Sequence, residues 1–215
     1  MATDSKDNIY VLVRYEKETQ SEELAVYEFS NTPGLHHKFP LRVEGWDRLT
    51  VTNTYSQVLV LSDSSVAVYD INGLFVRSFG EETLKEASDI TAGNDGSVMV
   101  VEWDDSCVHI FSEDGVHLNK FELQGRYWYM YLRTAFQHAS EHVVIACMEN
   151  MLVSPQSAGL RHVEIFTKEG DFVRSTQIHE ERIRDIQGMT VTMHMDGRIA
   201  VLLKDTDRKY KVLVI

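Results

Sequence analysis

The sequence has little that would hold a small fold together by covalent or conformational constraint. Among 215 residues there are two cysteines and three prolines. Cys107 and Cys147 each lie inside an apolar, strand-like run, which argues against a disulfide framework and for two buried thiols in a reducing, cytoplasmic setting. Positive charge is also scarce. Against 33 Asp and Glu stand 21 Lys and Arg, a formal charge of −12, so a generic phosphate-binding surface is not expected and DNA is excluded as a partner. No apolar run approaches the ~20 residues that span a bilayer, and the polar start from Met1 to Asn8 has no apolar leader core, so neither a membrane nor a secretory role is expected. There is no nucleophile elbow, P-loop, dinucleotide fingerprint, HExxH or Cys/His zinc array, and the sequence alone therefore leads to the expectation of no enzyme and no cofactor. Apolar residues nonetheless make up 43% of the chain and the aromatics are spread along it, enough for the core of one all-β domain.

What is present is a repeat. Three segments align without gaps over fifteen residues: Val66 to Gly80, Val108 to Glu122 and Val163 to Gln177. Each begins with apolar residues two apart (Val66 and Val68, Val108 and Ile110, Val163 and Ile165), the period that puts one face of a strand in a core. Each then reaches a turn dipeptide, Asn72-Gly73, Asp114-Gly115 or Glu169-Gly170, in which Gly supplies the positive φ of a tight hairpin. A fourth copy, Leu24 to Pro40, carries a longer turn around Pro33-Gly34, and a fifth is cut short at Val212 to Ile215. The starts at Leu24, Val66, Val108, Val163 and Val212 are 42, 42, 55 and 49 residues apart. Upstream of the copies lie further strand pairs, clearest in Ile90 to Val101 and Val191 to Leu202, each with an internal Asp-Gly. Four antiparallel strands repeated every 40 to 50 residues predict the blades of a β-propeller rather than a β-sandwich, whose strands do not repeat a turn motif at fixed long spacing. One domain over 1–215 is expected, with units at about 8–43, 44–80, 81–124, 125–180 and 181–215, the first lacking its first strand and the last its fourth.

The pattern apolar–x–apolar–aromatic, then an acidic or amide residue with Gly, then an outer strand ending in a basic residue and an aromatic, resembles the NHL repeat. Val108 to Gly115 and the preceding Ile90 to Val101 carry the likeness best. Asp63, Asp104 and Asp205 sit near the Asp that NHL repeats place before the third strand, whereas the proline before their first strand has no counterpart here. The resemblance implies a propeller that commonly closes with six blades, of which about five are present, so an open or truncated ring is expected. It also implies a non-enzymatic protein- or peptide-binding platform, of the kind that selects targets at the C-terminus of tripartite-motif ubiquitin ligases.

Four features bear on function. Arg126, Tyr127, Trp128, Tyr129, Tyr131 and Arg133 concentrate aromatics between two arginines at a connection between blades, the composition of a protein-contact hot spot, and are taken as the partner-binding set. The same residues could stack unpaired bases, and single-stranded RNA is the second reading if Arg126, Arg133, Arg161, Arg182 and Arg184 share one surface. The third reading is a calcium-dependent hydrolase or lactonase, which needs Asp47, Asp89 and Asp185 to converge on the central channel with oxygen ligands for a hard cation. The insertion from Glu149 to Arg161 is a candidate recognition loop, while His36-His37 and the group His138, Glu141 and His142 lack zinc-ligand spacing and are read as turn histidines.

Overall fold

A computed structural model of the chain describes residues 2–3, 9–14, 22–28, 34–41, 48–52, 56–124, 129–137, 140–149, 161–178, 186–193, 196, 198–205 and 209–215. Every regular element among them is a strand. Blade 1 consists of β1 (Ala2–Thr3), β2 (Ile9–Arg14), β3 (Glu22–Glu28) and β4 (Gly34–Pro40); blade 2 of β5 (Arg48–Val51), β6 (Val58–Leu61), β7 (Val66–Tyr69) and β8 (Phe75–Phe79). Blade 3 follows with β9 (Ala87–Ala92), β10 (Val98–Glu102), β11 (Cys107–Phe111) and β12 (His117–Glu122), and blade 4 with β13 (Tyr129–Gln137), β14 (His142–Glu149), β15 (Arg161–Thr167) and β16 (Phe172–Gln177). The fifth unit has three strands, β17 (Ile186–Met193), β18 (Ile199–Asp205) and β19 (Tyr210–Val214). Each sheet is an antiparallel meander, and the assembly is a β-propeller.

The middle strands show why their sequences read as continuous apolar runs rather than as an alternation. A blade between two others is buried on both faces, so each face of the pleat needs its own apolar set. Along β6, Val58 and Val60 pack toward blade 1 while Leu59 and Leu61 pack toward blade 3. Along β10, Val98 and Val100 face blade 2, and Met99 and Val101 face blade 4. The outer strands β12 and β16 are exposed along most of their length, at the rim.

A second repeated device locks neighbouring blades. The turn glycines Gly73, Gly115 and Gly170 all have positive φ (87°, 85° and 97°), and each lies against an aromatic ring on the outer strand of the preceding blade: Phe39, Phe79 and Phe121. A Cβ at these glycines would come within 2.2, 2.7 and 2.6 Å of those rings, so both the backbone conformation and the space demand glycine.

One expectation needs correction. The first unit does have an innermost strand: β1, two residues long, pairs with β2 through Ala2↔Tyr10 and Thr3↔Ile9, ahead of the boundary placed at residue 8. Among the described residues, the apolar clusters join blades 1–2, 2–3, 3–4 and 4–5, and none joins blade 5 to blade 1. On the edge strand β19, Tyr210, Val212 and Val214 are each more than 60% exposed.

Candidate functional site

The innermost strands β1, β5, β9, β13 and β17 surround a central cavity of about 440 Å³. Its wall is polar because a strand facing a channel exposes every second residue, and here many of those residues are threonines: Thr50, Thr91, Thr134, Thr190 and Thr192 all line it. Among the described residues, the charged residues of the wall are Arg48, Asp89 and Arg133.

These three form a belt that stitches four blades together. Asp89 Oδ2 accepts the backbone N–H of Thr134 at 2.8 Å, and Asp89 Oδ1 lies 3.8 Å from Arg48 Nε. Arg133 donates from Nε to the carbonyl of Met189 (3.1 Å), and from Nη1 to the carbonyls of Ser88 (3.3 Å) and Leu132 (2.6 Å). Burial pushes the Asp89 carboxyl up, against the opposing pull of Arg133, the Thr134 amide and Arg48. Among the described residues, two guanidinium groups and one carboxyl thus line the channel of a chain of net charge −12. Arg48 is the more accessible of the two cations, its side chain 39% exposed, while Arg133 is buried.

The sequence-derived contact set divides accordingly. Arg133 is a channel-wall residue held by three backbone carbonyls, not a member of an exposed aromatic face. Tyr129 and Tyr131 lie on β13, and Arg126, Tyr127 and Trp128 fall outside the described residues. Of the three candidate channel carboxylates, Asp89 lines the channel, and Asp47 and Asp185 fall outside the described residues. Arg182, Arg184 and most of the insertion 149–161 lie outside them as well.

Sequence reasoning missed a second polar cluster, in blade 3. Cys107 and His109 are two residues apart on β11 and so share a face, and Glu102 is the cross-strand partner of Cys107. All three are buried, and their donor atoms lie within 4.8 Å of one another, the one such group of His, Cys and acidic residues among the described residues. The signal was present as Glu102-x4-Cys107-x-His109, a pattern legible only once the turn between β10 and β11 is known. Both cysteines are buried, and neither is in a disulfide.

No family model matches this chain, and no curated protein matches it. The solved structures it resembles are propellers. Virginiamycin B lyase from Staphylococcus aureus aligns at a TM-score of 0.57 and 12% identity over 98% of this chain and 67% of that one. A protein from Lactobacillus plantarum gives 0.60 and 12%, over 99% and 68%. KlHsv2 with its loop 6CD replaced by a Gly-Ser linker gives 0.61 and 8%, over 96% and 67%. This chain thus spans about two thirds of their lengths, and at such identities the likeness shows the fold alone.

That finding corrects one expectation. The lack of familiar catalytic motifs points, on sequence alone, to a protein that is not an enzyme. Yet virginiamycin B lyase and a streptogramin B lyase, enzymes both, are among the structures this chain resembles. The architecture offers no ground for excluding catalysis, because a fold does not fix what its site does.

Proposed function

We propose that this chain is a ligand-binding propeller of NHL type whose channel mouth receives an anionic segment of a protein or peptide. The observation that carries this reading is the charge inversion among the described residues: two arginines and one aspartate line the channel in a chain of charge −12. Carboxylates suit such a site because guanidinium forks pair with them and the surrounding threonine hydroxyls can donate further hydrogen bonds. The acidic remainder of the surface would repel the same ligand elsewhere, which concentrates binding at the channel. The repeat pattern of Val108 to Gly115 supports the NHL assignment, and a role in target selection by a ubiquitin ligase would follow from it. The aromatic run from Arg126 to Tyr131 is close in sequence to Arg133 and stays the candidate partner-contact set in this reading.

The test is fluorescence anisotropy with three probes: a glutamate-rich peptide, a neutral peptide of the same length, and a single-stranded RNA. Wild type should bind the acidic peptide best. Arg48→Glu should weaken it at least tenfold, an energy of about 1.4 kcal/mol or more. Equal binding by Arg48→Glu would sink the proposal, and tighter binding of the RNA would replace it with a nucleic-acid reading. Mass spectrometry of the peptide after incubation separates binding from turnover.

A further inference from the structure

The cluster in blade 3 has the construction of a metal site. Three donor atoms of three chemical types converge: His109 Nε2 lies 3.1 Å from Glu102 Oε2 and 3.5 Å from Cys107 Sγ, and Sγ lies 3.9 Å from Oε2. With zinc bonds of about 2.3 Å to sulfur and about 2.0 Å to nitrogen and oxygen, tetrahedral geometry puts such donors about 3.3 to 3.6 Å apart. The observed triangle brackets that range.

The atoms of these residues that point away from the triangle are held by other groups. Glu102 Oε1 accepts the backbone N–H groups of Lys85 and Glu86, which leaves Oε2 toward the cysteine and histidine. His109 Nδ1 lies 3.1 Å from His117 Nε2, so with a proton held there Nε2 can give its lone pair to a metal ion in place of the hydrogen bond it makes to Glu102. Outer partners that fix the tautomer of a histidine and the rotation of a carboxylate are the usual support of metal ligands. The three ligands are buried, while His117 and Lys120 above them on β12 are exposed.

Blade 4 supplies an internal comparison. Its residues at the same three places are Cys147, His162 and Glu164, the same three residue types in a different order. There His162 Nε2 pairs with Glu164 Oε1 at 3.3 Å and Glu164 Oε2 accepts the N–H of Gln124, but Cys147 Sγ is turned to the carbonyl of Ile145. A buried His–Glu pair that ties down the preceding connector is therefore common to both blades. Convergence of a thiol onto that pair belongs to blade 3.

We propose that Glu102, Cys107 and His109 bind a divalent transition metal ion of zinc type. A thiolate with an imidazole selects a borderline or soft ion over magnesium or calcium, which favour all-oxygen sites. On binding, the Cys107 S–H bond breaks, its proton goes to solvent, and the sulfur lone pair forms the metal bond. Three protein donors leave the fourth tetrahedral position for a water molecule.

The experiment is cobalt titration of the chelator-treated whole chain, read by absorbance, with zinc as competitor. Wild type should take up one cobalt per chain with a thiolate-to-cobalt charge-transfer band in the near ultraviolet, and zinc should abolish it. Cys107→Ser should lack the band, and Cys147→Ser should keep it. Glu102→Gln, which retains an oxygen for the Lys85 and Glu86 amides, should bind cobalt about 10- to 100-fold more weakly. Far-ultraviolet circular dichroism verifies that each variant is folded. Should a variant prove unfolded, zinc-dependent and magnesium-independent thermal stabilisation of wild type and Cys147→Ser carries the test instead. Absence of both the band and the stabilisation in folded wild type overturns the proposal, as does a band that survives Cys107→Ser or disappears with Cys147→Ser.

Discussion

The junctions between the first four blades and the junction between the fourth and fifth are built differently. At each of the first three, a turn glycine at positive φ sits beneath an aromatic ring of the preceding blade: Gly73 under Phe39, Gly115 under Phe79, Gly170 under Phe121. At the last, the place on β16 equivalent to Phe79 and Phe121 holds Thr176, and among the described residues blade 5 shows three strands without such a turn. That junction rests on its apolar cluster, where Val144, Ala146, Val163 and Ile165 meet Met189, Val191, Val201 and Leu203. The contrast separates two contributions that a propeller usually combines. Apolar burial holds two blades together face to face without strong direction, whereas a ring seated on a glycine turn also fixes how far one blade can rotate past the next.

Removing a clasp is the most severe way to break this comparison. Phe79 is buried and packs on Phe111 with ring centroids 5.1 Å apart, so Phe79→Ala deletes both the seat for Gly115 and part of the core between blades 2 and 3. The loss should be about 3 to 5 kcal/mol. Chemical denaturation with two probes should show it, and hydrogen exchange should place the largest loss of protection in blades 2 and 3.

Acid is the next largest perturbation, because it reaches a tie that accompanies two of the clasps. Glu102 holds the connector between blades 2 and 3 through the N–H groups of Lys85 and Glu86, as Glu164 holds Gln124 between blades 3 and 4. Burial would push the Glu102 carboxyl up, but the hydrogen bond from His109 and the two amides outweigh it and bring it down from 4.5 to about 2. A depressed carboxylate stabilises the fold above its ordinary range, and the contribution is lost as pH falls from about 4.5 toward 2. The loss is worth about 3 kcal/mol at about 1.4 kcal/mol per unit. Asp89 in the channel has the opposite sign: its carboxyl is raised, so its own contribution to stability grows as pH falls through its folded-state value. Unfolding of the chelator-treated protein followed from pH 7 to pH 2 should therefore show a net loss of stability in wild type, smaller in Glu102→Gln and larger in Asp89→Asn. Equal losses in all three would remove the assignment of these two groups.

Gly115→Ala should cost less than losing the ring. The alanine would sit at a φ of 85° with its Cβ 2.7 Å from the Phe79 ring, combining a left-handed backbone cost of about 1 to 2 kcal/mol with about 1 kcal/mol or more of overpacking. The double variant Gly115→Ala/Phe79→Ala decides whether the two act as one unit. If they do, alanine at position 115 costs appreciably less once the ring is gone, and the two losses are not additive.

These devices were unequally legible in the sequence. The hairpins were, because Asn72-Gly73 and Asp114-Gly115 report a local conformation and lie between runs with a period of two. The aromatic before each blade boundary was visible as part of the repeat, but its seat was not: Phe79 and Gly115 are far apart in sequence and meet only when two blades pack. The two-residue strand β1 is too short for any periodicity to reveal. Arg133 illustrates the harder failure. Its neighbours Tyr129 and Tyr131 suggested an exposed contact surface, yet its guanidinium reaches the carbonyls of Ser88 and Met189, 45 and 56 residues away. The alternation of β13 settles only which residues share a face, and which face borders the channel follows from the closure of neighbouring blades. Cys107 was read as one more apolar residue of its run because a cysteine between hydrophobes usually is one. One partner, Glu102, lies across a turn, and the other, His109, is two residues along the same strand, on the same face.

The smallest predicted effect concerns the junction that has no clasp. If the ring stabilised simply by adding apolar area, Thr176→Phe would strengthen blade 4 wherever it fell. If it acts as a seat, a ring at position 176 has no glycine turn to receive it and remains at the partly exposed rim, as Phe172 does on the same strand with 43% exposure. A substitution of that kind changes stability by about 0.5 kcal/mol or less in either direction. Thermal unfolding of Thr176→Phe beside wild type measures the difference. A gain approaching that expected for burying a phenylalanine, about 2 kcal/mol, would show that the aromatic position stabilises without its glycine, and the clasp at the other three junctions would reduce to ordinary core packing.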